Sequence, residues 1–271
     1  MSKHIKIGKK KVSKRLLLEL VAAHKNRPVT DGSVRYAITK TAKGVSEFVA
    51  RPHDCILTLS GGIDSTVLLH SLLEDGKKPL CVYIDYGTKS RDAELRCAAM
   101  SVEEFGLSLT VLPFPFYKEN VKAAILDNTD EKEVGAQWWL EGRNAMIGMI
   151  LAVYASERDL TEIYLGINAS DSRGDYIDTD ARFVAALNSL IACSCRKPVK
   201  VYAPWVDGGC TKVDVINYGN ELGVDWMKTH SCSNGKTHPC CDYYGCESCN
   251  SRRDEFEQLG LQDPWMPNYD L

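Results

Sequence analysis

The chain has 271 residues, 44% hydrophobic and 25% charged, proportions that exclude a disordered, collagenous or coiled-coil protein. Its longest apolar run, Ala145 to Ala155, is eleven residues, short of the roughly 20 needed to span a bilayer. The N-terminus lacks the apolar stretch of a secretory signal, so a cytoplasmic protein with no membrane partner is expected. The net charge of −3 is split: through Arg51 there are 13 Lys and Arg against 3 Asp and Glu, and thereafter 20 against 33.

Residues 1–50 read as a basic extension with one predicted helix, Ser13 to His24, whose Leu16, Leu17, Leu20 and Val21 share a face. Such a leader is either a solvated tail or a surface for nucleic acid, an acidic or protein partner, or the chain's own acidic remainder. From Cys55 the pattern changes to short apolar runs alternating with amphipathic segments. Strands are predicted at Cys55 to Leu59, Leu80 to Asp85, Leu107 to Leu112, Glu162 to Gly166 and Val199 to Pro204. Helices are predicted at Thr66 to Glu74, Arg91 to Phe105, Asn144 to Glu157, Thr179 to Ala192 and Lys212 to Leu222. Repeated strand then helix implies an α/β fold, a doubly wound parallel sheet with helices on both faces. In such sheets a ligand sits outside the carboxyl ends of the strands. Residues 51–228 are taken as this domain, and 229–271, which lose the rhythm, as a small C-terminal appendage organised by metal.

Between the first strand of the sheet and its helix lies LSGGIDST, Leu59, Ser60, Gly61, Gly62, Ile63, Asp64, Ser65 and Thr66. A strand, paired glycines and a helix N-terminus expose consecutive backbone amides to an anion. Gly61 and Gly62 allow close approach, the hydroxyls of Ser60, Ser65 and Thr66 add donors, and Asp64 can cap the helix or help hold a Mg2+ ion bound to phosphate. The plain alternative is a glycine turn with a helix cap. No GK[ST] follows, which excludes a Walker loop, and GxGxxG is absent. Arg91 and Arg143 are candidate cations for pyrophosphate; each could equally be a surface arginine.

Five of the eleven cysteines, Cys232, Cys240, Cys241, Cys246 and Cys249, fall within eighteen residues. Cys246 and Cys249 have CxxC spacing, and Cys232 with either Cys240 or Cys241 completes four thiolates. A closed set of four points to structural Zn2+; a redox pair or an iron–sulfur cluster are the alternatives.

The SGGIDST string resembles the pyrophosphatase loop (PP-loop) of N-type ATP pyrophosphatases, enzymes that cleave ATP between its α and β phosphates. With IDYGTKSRDAELRCA (Ile84 to Ala98), EGRNAMIGMILAVYA (Glu141 to Ala155), GINASDSRGDYIDTDARFVAALNSL (Gly166 to Leu190), TKVDVI (Thr211 to Ile216) and the terminal cysteines, the whole is similar to the 7-cyano-7-deazaguanine synthase family, over about Cys55 to Phe256. The resemblance implies a carbon–nitrogen ligase that adenylates the carboxylate of 7-carboxy-7-deazaguanine for attack by ammonia or another amine, then converts the amide to the nitrile with a second ATP. It implies a homodimer, as family members often are.

By position, the resemblance implies that Leu59 to Thr66, Gly87, Arg143, Asn144 and Gly166 hold ATP. It further implies that Ser60, Asp64, Ser65, Arg143 and Lys212 act in catalysis, and that Asn168, Asp171, Tyr176 and Asp178 surround the deazaguanine. A carboxylate such as Asp178 or Asp171 suits the paired donors of a purine-like base. The chain departs from the family pattern at Gly87 to Ser90, where GQRH is expected, and at Thr179 to Phe183, where CRPEF is expected. A diverged enzyme that stops at the amide, or that joins the base to a protein amine in an antiviral setting, is therefore kept as an alternative. So is a PP-loop enzyme of tRNA modification using the basic leader.

Overall fold

The computed structural model describes residues 53–129, 139–168, 176–236 and 246–265, together with the backbone of four strands in the leader. There β1 (His4–Ile7) pairs antiparallel with β2 (Lys10–Ser13), and β3 (Arg35–Thr41) with β4 (Gly44–Arg51). Ser13 therefore closes a strand where the sequence predicts a helix start. Ile5 and Ile7 alternate with Lys6, a strand period in β-branched residues. Residues 14–24, the rest of the predicted helix, lie outside the described residues.

The body is a five-stranded, wholly parallel sheet in the order β7-β6-β5-β8-β9. Its strands are β5 (Cys55–Thr58), β6 (Pro79–Asp85), β7 (Leu109–Pro113), β8 (Glu162–Tyr164) and β9 (Lys200–Tyr202). Of these, β5 and β6 read as near-continuous apolar runs because both faces are covered. Cys55, Leu57, Leu59, Cys81 and Tyr164 pack on one side, against α1 (Ile63–Glu74), α2 (Arg91–Glu104) and α7 (Lys212–Glu221). Ile56, Val82, Ile84, Ile163 and Val201 pack on the other, against α4 (Arg143–Ser156) and α5 (Ala181–Ser194). Consecutive residues of one strand thus enter different cores, which a helix period cannot do. Two short helices, α3 (Phe116–Asn120) and α6 (Pro204–Asp207), complete the connections.

The chain starts the sheet at β5, builds outward to β7, and crosses back to place β8 on the opposite side of β5. Connections leave β5 and β8 in opposite directions, so a crevice opens between their carboxyl ends. The phosphate-loop candidate lies there.

The appendage differs from its loop-rich expectation: α8 (Glu247–Gln258) follows Cys246 directly. It escapes hydrophobic pattern reading because the buried residues on its inner face are Cys249, Arg252 and Phe256, of which Phe256 alone is a large apolar side chain. No helix among the described residues is long and apolar enough to cross a membrane.

Candidate functional site

Helix α1 begins at Ile63, three residues before its predicted start, so Asp64, Ser65 and Thr66 occupy its first turn. Two hydroxyls shape the turn that precedes it. Ser65 Oγ–H donates to Gly62 O (3.2 Å), and the same oxygen accepts from the Ser60 amide (3.3 Å). Ser60 Oγ lies 3.1 Å from Ser65 Oγ and accepts from the Gly62 amide (3.3 Å). Gly61 has φ +76°, and a Cβ there would sit 2.5 Å from Glu94 O and 2.8 Å from Ala98 N of α2. A Cβ on Gly166, beyond β8, would sit 2.8 Å from Ser65 N. Both glycines let backbone meet backbone around a helix N-terminus whose amides can receive an anion.

Asp64 is held on three sides. Lys212 Nζ pairs with Oδ2, Asn168 Nδ2 donates to Oδ1 (3.3 Å), and Trp205 Nε1 donates to its carbonyl (3.2 Å). Lys212 is positioned as the first residue of α7, whose start is set by a capping box between Thr211 and Asp214. Asn168 is fully buried and reaches the carboxylate from behind.

Arg143 and Asn144 open α4 across the crevice. The Asn144 amide donates to Asp178 Oδ2 (3.1 Å), and Asn144 Nδ2 to the Asp178 carbonyl (3.0 Å). Asp178 is 6% exposed and stands behind Asn144, its Oδ1 without a hydrogen-bond partner. Burial works against the Arg143 charge, but Tyr86 and Asp178 outweigh it and carry the guanidinium pKa up. The Tyr176 ring lies 5.3 Å from that of Trp139.

The β6 side supplies Tyr83, Tyr86 and Glu94. Tyr83 O–H donates to Glu94 Oε2 (2.7 Å) and Ser90 O–H to Oε1 (2.6 Å). Burial, then the Glu94 charge, push the Tyr83 phenol pKa up, and burial does the same at Tyr86. Both phenols therefore stay protonated; Tyr83 donates to Glu94, and Tyr86 accepts from the Arg143 guanidinium.

The appendage closes the crevice from the loop side. The His230 amide donates to Gly61 O (2.7 Å), and its Nε2 lies 2.9 Å from Cys232 O. Burial pushes the His230 imidazole pKa down. Arg252, on α8, makes a bidentate pair with Asp263 (2.6 and 2.9 Å) and donates to Thr229 Oγ1 (2.8 Å). The sulfurs of Cys232, Cys246 and Cys249 lie within 4.8 Å of one another, two of them buried. Hydrogen bonds from the Cys232 and Cys249 side chains pull the Cys246 thiol well below its ordinary range. Three converging soft donors fit a thiolate-bound ion such as zinc. Cys240 and Cys241, the two candidates for a fourth ligand, lie outside the described residues.

The groups share one cavity of about 480 Å³, a size typical of small-ligand sites. Of the expected site residues it is lined by Leu59, Ser60, Gly62, Ile63, Asp64, Ser65, Arg143, Asn144, Gly166, Tyr176 and Lys212. Gly61, Thr66, Asn168 and Asp178 stand behind the wall. Gly87 is not brought to the cavity: its φ is +83° and it packs on the Lys118 side chain. Arg91 pairs with Asp85 and Asp92 away from it, and Asp171 lies outside the described residues. Sequence reasoning missed Tyr83, Tyr86, Glu94, His230 and Arg252, all of which line it. Their sequence signals are position at or just beyond the end of β6 for Tyr83 and Tyr86, the Ile84 to Ala98 string for Glu94, and the segment joined to the cysteines for His230 and Arg252.

The fold and cavity define a doubly wound α/β protein with a glycine loop and a helix N-terminus at the topological switch point. The family model described as queuosine biosynthesis protein QueC matches residues 54–260, and the chain belongs to that family. It is 33% identical over 226 residues to 7-cyano-7-deazaguanine synthase of Persephonella marina, covering 78% of this chain and 95% of that protein. It is 26% identical over 221 residues to the protein of the same name from Porphyromonas gingivalis, covering 79% and 97%. NMN synthetase from Francisella tularensis aligns at a TM-score of 0.44 and 15% identity, over 78% of this chain and 79% of that one.

Proposed function

We propose that the chain is an ATP-dependent carbon–nitrogen ligase that adenylates the carboxylate of 7-carboxy-7-deazaguanine and passes it to a nitrogen nucleophile, giving the amide and then 7-cyano-7-deazaguanine. The observation that carries this reading is the shared cavity. The loop amides and Lys212 lie on one side and the ring-stacking and polar groups Tyr176, Arg143 and Asn144 on the other, in a chain of the QueC family. Adenylation needs no covalent bond to protein. It needs the carboxylate oxygen in line with the α phosphate and charge stabilisation on the departing pyrophosphate.

In this mechanism the amides at the start of α1 and the Ser60 and Ser65 hydroxyls take the phosphates of MgATP, which enters as a substrate complex. Asp64 is engaged by Lys212 and Asn168, so it holds the lysine beside the phosphates. Arg143 neutralises charge at the carboxylate, and Asp178 fixes the start of α4 and so the direction of Arg143 and Asn144. The cysteines would hold a structural ion such as zinc, which supplies cross-linking and no chemistry.

The departures from the family pattern lie off the cavity in part. Asp180 caps α5 and pairs with Arg182, whose side chain is 92% exposed, while Thr179 lines the cavity and Thr88 and Ser90 are buried beside Glu94. The Thr88 and Ser90 changes, next to a lining residue, favour a second reading in which the product is the amide or a conjugate. The test is to incubate the full chain with MgATP, the carboxy base and ammonium and follow products by mass. AMP and pyrophosphate release that needs the base supports the ligase, the nitrile supports the first reading, and amide alone supports the second. ATP turnover indifferent to the base refutes both.

A further inference from the structure

Glu94 is the one carboxylate that α2 and β6 present to the cavity next to the phosphate loop. Its hydrogen-bond partners are neutral. Both oxygens accept from hydroxyls, those of Tyr83 and Ser90, and among the described residues no basic side chain closes an ion pair on it. The charged and titratable groups that face it are Tyr83 and Tyr86 from the β6 side, Cys97 on its own helix, Arg143 from α4 and His230 from the appendage. Tyr83 and Tyr86 are held protonated by burial, and Arg143, the fixed cation of this set, stands across the cavity in electrostatic range. An ionised carboxylate beside a site for phosphates adds repulsion unless a small cation joins it.

We propose that Glu94 is the catalytic residue that binds the nitrogen nucleophile as its ammonium ion and accepts its proton. This deepens the ligase reading and rests on it. Ammonium is almost wholly protonated near neutral pH and has no lone pair to give. A carboxylate flanked by aromatic rings binds such an ion by hydrogen bond and by the ring faces. Two oxygens with hydroxyls already seated on them are a poor start for the octahedral oxygen shell that Mg2+ demands. Glu94 takes one proton; the freed nitrogen lone pair attacks the carboxyl carbon of the adenylate and a C–N bond forms. The C–O bond to AMP breaks with its electron pair leaving on the phosphate oxygen, and the second proton of the new amide group goes to water. Glu94 then returns its proton to solvent.

The experiment compares wild type with Glu94→Gln, which keeps shape and removes the charge, using ATP–pyrophosphate exchange dependent on the carboxy base and amide formation from ammonium. Exchange is expected to stay within about threefold, while amide formation near neutral pH falls by about 100-fold, the range of a general base. The loss should shrink as pH is raised and free ammonia accumulates. Hydroxylamine, largely unprotonated near neutral pH, should give the hydroxamate at close to the wild-type rate. An unchanged amide rate overturns the proposal, as does loss of exchange together with amide, which would move Glu94 to the handling of MgATP. Should Glu94→Gln fail to fold, Tyr83→Phe removes one bond to the same carboxylate and is expected to slow the amide step and leave exchange intact. Absence of base-dependent exchange in the wild type would instead refute the ligase reading beneath it.

Discussion

Replacing Asp263 by Asn would separate the appendage from the loop it braces. Arg252 and Asp263 each have side chains 1% exposed, joined by two bonds of 2.6 and 2.9 Å. Removing one partner of a buried pair leaves an uncompensated charge at a cost of about 3–5 kcal/mol. Arg252 keeps its bonds to Thr229 Oγ1 (2.8 Å) and the Trp226 carbonyl (3.3 Å), so about 3 kcal/mol is expected, a fall in Tm of about 10 °C for a chain of this size. Because Thr229 precedes His230, whose amide holds the Gly61 carbonyl at 2.7 Å, ATP binding should weaken too. Urea denaturation and calorimetry with ATP measure the two effects. Asp254→Asn is the control: its pair with Arg253 is 56% and 34% exposed, and such a pair contributes under about 1 kcal/mol. If Asp263→Asn costs no more than Asp254→Asn, the brace described here does not operate.

Three further outcomes follow from the same geometry. Gly61→Ala puts a Cβ 2.5 Å from the Glu94 carbonyl at φ +76°, so the loop or α2 must shift; ATP affinity should drop by about tenfold or more, the equivalent of about 1.4 kcal/mol, and titration calorimetry showing no change would contradict the close approach. Native mass spectrometry should find one metal ion per chain, lost in Cys249→Ser with a lowered Tm, since the three sulfurs converge within 4.8 Å; a metal-free wild type of equal stability would refute the centre. Burial of His70 in α1 pushes its pKa below the ordinary 6.5, with Glu104 opposing. The unfolded chain then binds the proton first, so stability is present above pH about 6.5 and declines as pH falls through that window; His70→Asn should flatten the decline in urea titrations, and an unchanged slope would show that His70 takes up its proton as readily in the fold as in the unfolded chain.

Much of the fold was legible because its signals are local. The strands of a parallel sheet are buried on both faces, so Cys55–Thr58 and Pro79–Asp85 show as plain apolar runs. Leu59 to Thr66 carry the loop as one contiguous string, and Cys246 and Cys249 reach each other within a single turn of chain. Strand order, which places β8 beside β5 and opens the crevice, was not legible, because it depends on pairings between segments about a hundred residues apart.

The same distinction divides the site. Sequence alone determined that a strand, two glycines and a helix start would follow one another, and that clustered cysteines would gather near the C-terminus. Only the tertiary structure decided what faces the loop. It set Lys212 on Asp64, Asp178 behind Asn144 instead of in the cavity, and Gly87 and Arg91 away from it. It also brought Glu94, His230 and Arg252 to the wall from three separate segments. Backbone conformation follows from neighbouring residues, whereas the direction of a side chain in a cavity follows from which elements pack together, and polar residues at such positions leave no periodic trace in the sequence.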